Sequence, residues 1–176
     1  GTLLASRVIG KVFLNRGCEV KISEVHGMSQ RGGSVVTYVR AGEQVCSPVI
    51  KQGEADFILS FEKMEAARYI DMLKKDGTVV TNTQEISSMP VITGAAAYPH
   101  DVLDTLRNAG VKVDALDALA LARKAGTEKA VNVVLLGHLS RYFEFPPEVW
   151  TDALKDTVKP AFLEMNLDAF SLGRES

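Results

Sequence analysis

The sequence has few cysteines, and this scarcity limits the cofactors it can hold. Its 176 residues include only two, Cys18 and Cys46, and neither belongs to a Cys-x-x-Cys pair. Two separated thiols cannot supply the ligands of an iron–sulfur cluster or a structural zinc, so this chain alone builds neither site. One disulfide between them is possible in principle, but we favour two buried or half-buried thiols in a cytoplasmic protein.

The sequence also lacks an excess of positive charge and any long hydrophobic run. Lysine and arginine number 20 against 22 acidic residues, which gives a net charge of −2. Because the basic residues do not cluster, we expect no nucleic-acid partner. No apolar run approaches the roughly 18 residues of a membrane span, so we expect no membrane partner. What remains is an ordinary globular composition, 46% apolar and 24% charged, in a chain of single-domain length.

The hydrophobic patterning predicts an α/β fold, a three-layer Rossmann-like domain with a mostly parallel sheet and an inserted antiparallel hairpin. Short apolar or β-branched runs predict strands at 18–22, 34–40, 44–50, 55–60, 78–81, 90–93 and 111–114. Apolar residues at helical spacing predict helices at 3–13, 62–74, 102–108, 116–125, 127–142, 147–158 and 161–172.

The connections between these elements predict how the strands pair. The short link around Gly42 predicts that segments 34–40 and 44–50 form the antiparallel hairpin. Strand–helix–strand order predicts parallel strands, because a parallel pair needs a crossover connection. The strands expected to be parallel are 18–22, 55–60 and 78–81.

The segment from Ser23 to Arg40 concentrates side chains that can bind or react, between two strand-like runs. Its candidate cofactor-binding or subunit-interface residues are Glu24, His26, Gly27, Met28, Gln30, Arg31, Gly32 and Gly33. A polar loop after a strand is a common position for a site in α/β proteins, and glycines allow close backbone approach. A solvated surface loop, whose glycines only make the turn, accounts for the same residues.

Several functions are compatible with this segment. Glu24 and His26 could form an acid–base pair, or Glu24 could pair with Arg31 and fix the shape of the loop. Arg31 with the two following glycines suits an anion clamp made of a guanidinium and backbone amides. Arginine and Met28 equally suit a tight protein–protein contact, where both residue types are enriched.

Elsewhere the sequence offers one further binding candidate and no catalytic or metal-ligating residue. Asn82 begins the triplet Asn-Thr-Gln after a predicted strand, which is a binding position in open α/β sheets, although the same triplet could cap the next element. His138 lies among leucines of a predicted helix, so we interpret it as a core or interface histidine. Nothing matches a phosphate-binding Gly-Lys-Ser/Thr loop.

Five motifs together resemble one enzyme family. They are Ser-Glu-Val-His-Gly-Met-Ser-Gln-Arg-Gly-Gly (23–33), Gly-Glu-Ala-Asp (53–56), Asn-Thr-Gln (82–84), Lys-Ala-Val-Asn-Val-Val-Leu-Leu-Gly (129–137) and Glu-Met-Asn-Leu-Asp-Ala-Phe-Ser-Leu-Gly (164–173). The chain resembles the gamma subunit or domain of pyruvate and 2-oxoacid:ferredoxin oxidoreductases. The first motif points to the small (beta) subunit of the indolepyruvate branch.

The resemblance spans essentially the whole chain, so we expect a single gamma-type domain over residues 1–176. Members of the family begin with a strand and a Gly-x-Gly-Gly-Gln-Gly-Thr turn. The sequence given starts with Gly1-Thr2, and we expect this pair to be the end of that turn, with the preceding strand missing.

The resemblance implies a subunit, inactive alone, of an enzyme that converts an arylpyruvate and coenzyme A to an aryl-acetyl-CoA and carbon dioxide while reducing ferredoxin. It implies thiamine diphosphate, magnesium and [4Fe–4S] clusters on a large partner subunit, ferredoxin reached through that subunit, and no cofactor on this chain alone. The segment 23–33 would then face the partner near the active site or the coenzyme A path. Two alternatives stay open: a stand-alone nucleotide- or CoA-binding protein such as an NAD(P)-dependent reductase, and a non-catalytic assembly scaffold.

Overall fold

A computed structural model describes residues 1–25 and 35–176. The strands are β1 (Glu19–Val25), β2 (Val36–Gly42), β3 (Ala55–Ser60), β4 (Leu73–Asn82) and β5 (Lys112–Leu116). The α-helices are α1 (Thr2–Asn15), α2 (Lys63–Arg68), α3 (Met89–Ile92), α4 (Val102–Asn108), α5 (Ala118–Lys124), α6 (Val131–Leu139), α7 (Pro147–Thr157) and α8 (Leu163–Glu175). Short 3-10 turns lie at Ile70–Met72, Glu128–Ala130, Ser140–Tyr142 and Pro160–Phe162.

The described residues form two compact units. Of the described residues, the first unit contains 1–25, 36–50 and 118–176, and the second contains 35 and 51–117. None of the helices in the described ranges is long and apolar enough to cross a membrane.

In the first unit, α1 packs on a two-stranded antiparallel ribbon. β1 and β2 pair from Glu19 opposite Gly42 to Val25 opposite Val36. The helix buries Val8 and Val12 completely. Gly10 allows the close approach, since a Cβ there would lie 2.9 Å from the Cδ1 atom of Ile22.

The helices of the same unit pack around α6, which is buried along nearly its whole length. α6 and α8 cross where two glycines face the opposite backbone. A Cβ on Gly137 would overlap the carbonyl of Phe170, and a Cβ on Gly173 would overlap that of Val134. Trp150 of α7 is fully buried against Phe170.

The second unit is a parallel sheet of three strands in the order β3-β4-β5. The central strand β4 contributes Val79 and Val80, both fully buried. On α4 the apolar residues Val102, Leu103 and Leu106 form a core cluster against Ile70 and the apolar residues of β5.

The α/β class and the parallel sheet are confirmed, but the predicted hairpin is wrong. Segment 44–50 is not a strand, and β2 pairs instead with β1. Pro48 cannot donate to a ladder. Side chains satisfy the backbone of this segment instead: the Val45 amide donates to the Glu19 carboxylate at 2.9 Å, and Arg40 donates to the Val49 carbonyl at 2.8 Å.

Three other strand and helix predictions are corrected. The strand predicted at 18–22 belongs to the antiparallel ribbon rather than to the parallel sheet. Residues 90–93 are not a strand, because Pro90 lies in the first turn of α3, where its missing amide hydrogen costs nothing. The helix predicted at 62–74 ends at Arg68, and the chain is already extended from Leu73 in β4.

The remaining predicted elements are present, some with different ends: the helix predicted at 127–142 is α-helical over Val131–Leu139, and the strand predicted at 78–81 extends over Leu73–Asn82. Segments 55–60 and 78–81 are parallel neighbours, and the strand predicted at 111–114 is β5. The helix predicted at 102–108 has the bounds of α4.

Candidate functional site

The structure describes two of the predicted site residues, Glu24 in the first unit and Asn82 in the second. The others lie outside the described residues. They are His26, Gly27, Met28, Gln30, Arg31, Gly32 and Gly33. The acid–base pair, the anion clamp and the protein contact proposed for them therefore stay predictions.

Glu24 lies in β1 directly opposite Thr37 of β2. Its side chain is half buried, and its Oε1 atom is fully shielded from solvent, as is the Thr37 hydroxyl. The β1–β2 ribbon thus fixes the carboxylate one residue before the strand ends. Beyond it, the exposed Val25 and Val35 flank the segment 26–34.

Asn82 is the last residue of β4 and is fully buried. Its Nδ2 atom donates to the carbonyl of Phe61 at 3.3 Å and to Oε1 of Gln84 at 3.2 Å. The amide therefore ties the carboxyl end of β4 to the residue that follows β3.

A buried carboxylate, which the sequence analysis did not single out, stands beside Asn82. Glu62 follows β3, is 6% exposed and caps α2, with Oε2 accepting the Glu65 amide at 3.0 Å. Its Oε1 atom accepts the amide of Ile86 at 3.4 Å and the hydroxyl of Tyr98. The sequence signal was its place at the carboxyl end of an apolar strand, the same rule that selected Asn82.

An ion-paired group lies next to this carboxylate. Lys63 forms a salt bridge with Glu85, donates to the carbonyl of His100 at 3.4 Å and lies 5.9 Å from the ring centroid of Tyr98. The Nδ1 atom of His100 lies 2.9 Å from Oε2 of Glu85. The hydrogen bond from Lys63 is the main cause that lowers the pKa of Glu85, and His100 adds to it.

Whereas the pKa of Glu85 is lowered, the pKa of Tyr98 is raised by its environment. Burial raises the pKa of the phenol, and the hydrogen bond to the Glu62 carboxylate raises it further. Tyr98 therefore stays a neutral donor, as the contact with Glu62 requires.

Together these groups hold the connection between β4 and α4 against the start of α2. Their polar atoms form hydrogen bonds and ion pairs with one another. The arrangement therefore positions the backbone of this connection at the carboxyl end of the parallel strands. This is the end at which α/β proteins bind their ligands. In the part of the chain that the structure describes, no three His, Cys, Asp or Glu side chains are grouped so as to hold a metal ion.

His138 was predicted to be a core or interface histidine, and its burial agrees with the core position. One of the two thiols differs from expectation. His138 is 3% exposed, and its Nδ1 atom lies 3.3 Å from the carbonyl of Gly173 on α8. Both cysteines are free thiols. Cys18 is partly buried, but Cys46 is exposed, because the segment that carries it is not a packed strand.

A family model described as pyruvate ferredoxin/flavodoxin oxidoreductase matches residues 1–176. The chain belongs to this family. The resemblance read from the five motifs is thereby confirmed.

Curated relatives span nearly the whole chain. The indolepyruvate oxidoreductase subunit IorB of Thermococcus kodakarensis is 43% identical and aligns over 98% of this chain and 88% of its own length. The subunit of the same name from Archaeoglobus fulgidus is 37% identical over the same shares. The 2-oxoglutarate synthase subunit KorC of Methanothermobacter thermautotrophicus is 25% identical, over 99% of this chain and 88% of its own length.

Solved structures share the fold. The gamma subunit of a keto/oxoacid ferredoxin oxidoreductase from Geobacter sulfurreducens has a TM-score of 0.70 at 20% identity, over 98% of this chain and 88% of that one. The pyruvate oxidoreductase subunit PORC from Thermotoga maritima has a TM-score of 0.70 at 18% identity, over 98% and 87%. At these identities the similarity concerns the fold, which is that of the gamma subunits.

Proposed function

We propose that this chain is the small, gamma-type subunit of an indolepyruvate or arylpyruvate:ferredoxin oxidoreductase. The observation that carries the proposal is the contrast among relatives of equal coverage. The relatives named indolepyruvate oxidoreductase subunits that we compared are 33% to 43% identical to the chain, whereas a 2-oxoglutarate synthase subunit is 25% identical. The assembled enzyme would convert an arylpyruvate and coenzyme A to an aryl-acetyl-CoA and carbon dioxide, with reduction of ferredoxin.

The cofactors of this reaction would belong to a larger partner subunit. Thiamine diphosphate supplies the electron sink that decarboxylation of a 2-oxo acid needs, and amino-acid side chains do not. A [4Fe–4S] cluster needs four thiolates, and the chain contains two cysteines. We therefore place thiamine diphosphate, magnesium and the clusters on the partner, with ferredoxin reached through it and coenzyme A as co-substrate.

The segment 23–33 would face that partner. Two exposed valines support this assignment, because Val25, which belongs to the segment, is 48% exposed and Val35, which follows it in the sequence, is 37% exposed. Arginine and methionine, which this segment contains, are enriched at protein interfaces. The contact could be to the partner alone, or also to coenzyme A.

Reconstitution with the larger subunit tests the substrate class. The two subunits from one source are mixed under anaerobic conditions, and ferredoxin reduction is followed with coenzyme A and one of four 2-oxo acids. We expect kcat/KM for indolepyruvate and phenylpyruvate to exceed that for pyruvate and 2-oxoglutarate. Faster turnover of 2-oxoglutarate would contradict the aryl assignment.

A second measurement distinguishes the proposed subunit from a stand-alone nucleotide- or CoA-binding protein. The full chain is titrated by calorimetry with NAD(P)H, FAD and coenzyme A in the absence of the partner. Tight binding of a dinucleotide by the lone chain would favour a nucleotide-dependent reductase over the subunit assignment.

A further inference from the structure

The connection between β4 and α4 contains a segment whose two ends bind the same oxygen atom. The Oε1 atom of Glu62 accepts both the amide of Ile86, at 3.4 Å, and the hydroxyl of Tyr98. We call residues 86–98 the strap. A compact surface segment with its ends held together is an Ω-type loop, a class that is frequently functional.

The strap is uncharged although it is largely exposed. From Ile86 to Tyr98 it reads Ile-Ser-Ser-Met-Pro-Val-Ile-Thr-Gly-Ala-Ala-Ala-Tyr, in a chain of which 24% is charged. Ile86, Met89 and Ile92 are 56%, 59% and 66% exposed. Single exposed apolar side chains are normal on a protein surface. Met89 and Ile92 lie three residues apart in α3, a spacing that places helical side chains next to each other. Adjacent exposed apolar side chains on an uncharged segment are typical of an interaction site.

We propose that the strap is a docking surface for an uncharged, apolar patch on the larger subunit of the enzyme. This inference rests on the proposed function. Interface cores are depleted of charged residues and enriched in methionine, as the strap is. A charged partner group would lose its water against the strap without gaining an ion pair, which is costly.

The size of the strap favours a larger partner over a second copy of this chain. A stable interface involves about 20–30 residues a side, and the strap is shorter than that. A two-fold symmetric contact confined to the strap would use the same short segment of each copy and would fall below this size. A larger subunit can contact the strap together with other surfaces of the chain.

The two hydrogen bonds to Glu62, which we call the anchor, hold the ends of the strap in place before a partner binds. Since both ends are fixed to a carboxylate that is 6% exposed, the partner does not bear the full ordering cost of a free loop. Lys63 reinforces the anchor through Glu85, the residue immediately before the strap.

Charge introduced on the strap tests the proposal. Ile92→Glu and Met89→Glu place a carboxylate on the exposed patch, and Leu14→Glu places one on a side chain of similar exposure, 54%, in α1. Affinity of each full chain for the purified larger subunit is measured by calorimetry, with thermal unfolding as the check on folding. We expect at least about a tenfold weaker Kd for both strap variants, because burying an unpaired carboxylate against an apolar partner is costly. For Leu14→Glu we expect a change in Kd of less than about twofold.

The outcomes separate the two proposals. If the wild-type chain does not bind the larger subunit, the proposed function fails. If it binds and supports turnover while both strap variants bind equally well, only the strap inference is overturned. An equal loss in Leu14→Glu would also overturn it. Self-association of the lone wild-type chain in sedimentation velocity, abolished by Ile92→Glu, would assign the strap to a second copy and contradict the inference.

Discussion

Tyr98 donates its hydroxyl hydrogen to the carboxylate of Glu62, a residue 36 positions earlier in the chain. Both side chains are buried, at 8% and 6% exposure. Because Glu62 also caps α2 and accepts the Ile86 amide, this one carboxylate joins the end of β3 to the connection that leads into α4.

Removing the Tyr98 hydroxyl should destabilise the protein. Tyr98→Phe keeps the ring but leaves the buried Glu62 carboxylate without one of its donors, and we expect a loss of about 1–3 kcal/mol in the free energy of unfolding. Urea denaturation measures it. Tyr142→Phe, at a tyrosine that is 42% exposed, is the control and should change stability by less than about 0.5 kcal/mol. Equal effects in the two variants would contradict a special role for the contact.

The Lys63–Glu85 pair should contribute to stability in a definite pH range. Lys63 lowers the pKa of Glu85 in the folded protein. The contribution is therefore complete above the unfolded pKa of about 4.3 and is lost as the pH falls through the lower folded value. Lys63→Met should flatten the fall in the free energy of unfolding over this acidic range.

The measurement is urea denaturation at a series of pH values. Lys74→Met serves as the control, because Lys74 and Asp56 form an exposed pair, and such pairs contribute little. If the free energy of unfolding of Lys63→Met falls as steeply at acidic pH as that of the wild type, Lys63 does not lower the pKa of Glu85.

The sequence predicted best those elements whose pattern is set by local periodicity. α1, α4 and β5 follow directly from apolar spacing and from glycines at their ends. Segment 44–50 was misassigned because Val45, Val49 and Ile50 have strand composition. The pairing actually depends on β1 and on the side chains of Glu19 and Arg40.

In the candidate site, too, only features set by local sequence patterns could be predicted. Asn82 was found from its place at a strand end, which is a local rule. The contact of Glu62 with Tyr98 joins residues 36 positions apart, and no local pattern contains such a pairing. The exposure of Ile92 and Met89 likewise became visible only when the rest of the unit was in place.

The crossing of α6 and α8 should not tolerate a methyl group. A Cβ on Gly137 would lie well inside 3.0 Å of the Phe170 backbone, which cannot move like a side chain. We expect Gly137→Ala to lower the free energy of unfolding by about 1–3 kcal/mol or more. Gly42→Ala is the matched control, since a Cβ there meets Val45 at 3.8 Å, an ordinary contact. Equal midpoints in urea for both variants would contradict the close packing.

The segment 23–33 should matter for the assembled enzyme. Arg31→Lys keeps the charge but loses the planar guanidinium fork, and we expect reduced turnover or weaker partner binding. Gly32→Val and Gly33→Val should be at least as harmful if either glycine needs a positive φ. Kinetics and partner affinity are measured for each variant.

The comparison of these two readouts also separates a functional segment from a scaffold. Loss of turnover at saturating partner indicates a role near the active site, and loss of affinity alone indicates assembly. If turnover and affinity are those of the wild type in all three variants, the segment is a solvated surface loop without a role in function.

The most direct test of the subunit assignment is the activity of the purified chain alone and after addition of the larger subunit. The assay supplies indolepyruvate, coenzyme A and ferredoxin under anaerobic conditions, with iron determined in parallel. We predict that the lone chain contains no iron and shows no turnover, and that the larger subunit restores ferredoxin reduction in proportion to the complex formed. A lone chain that decarboxylates arylpyruvates, or that purifies with its own iron, would contradict the account.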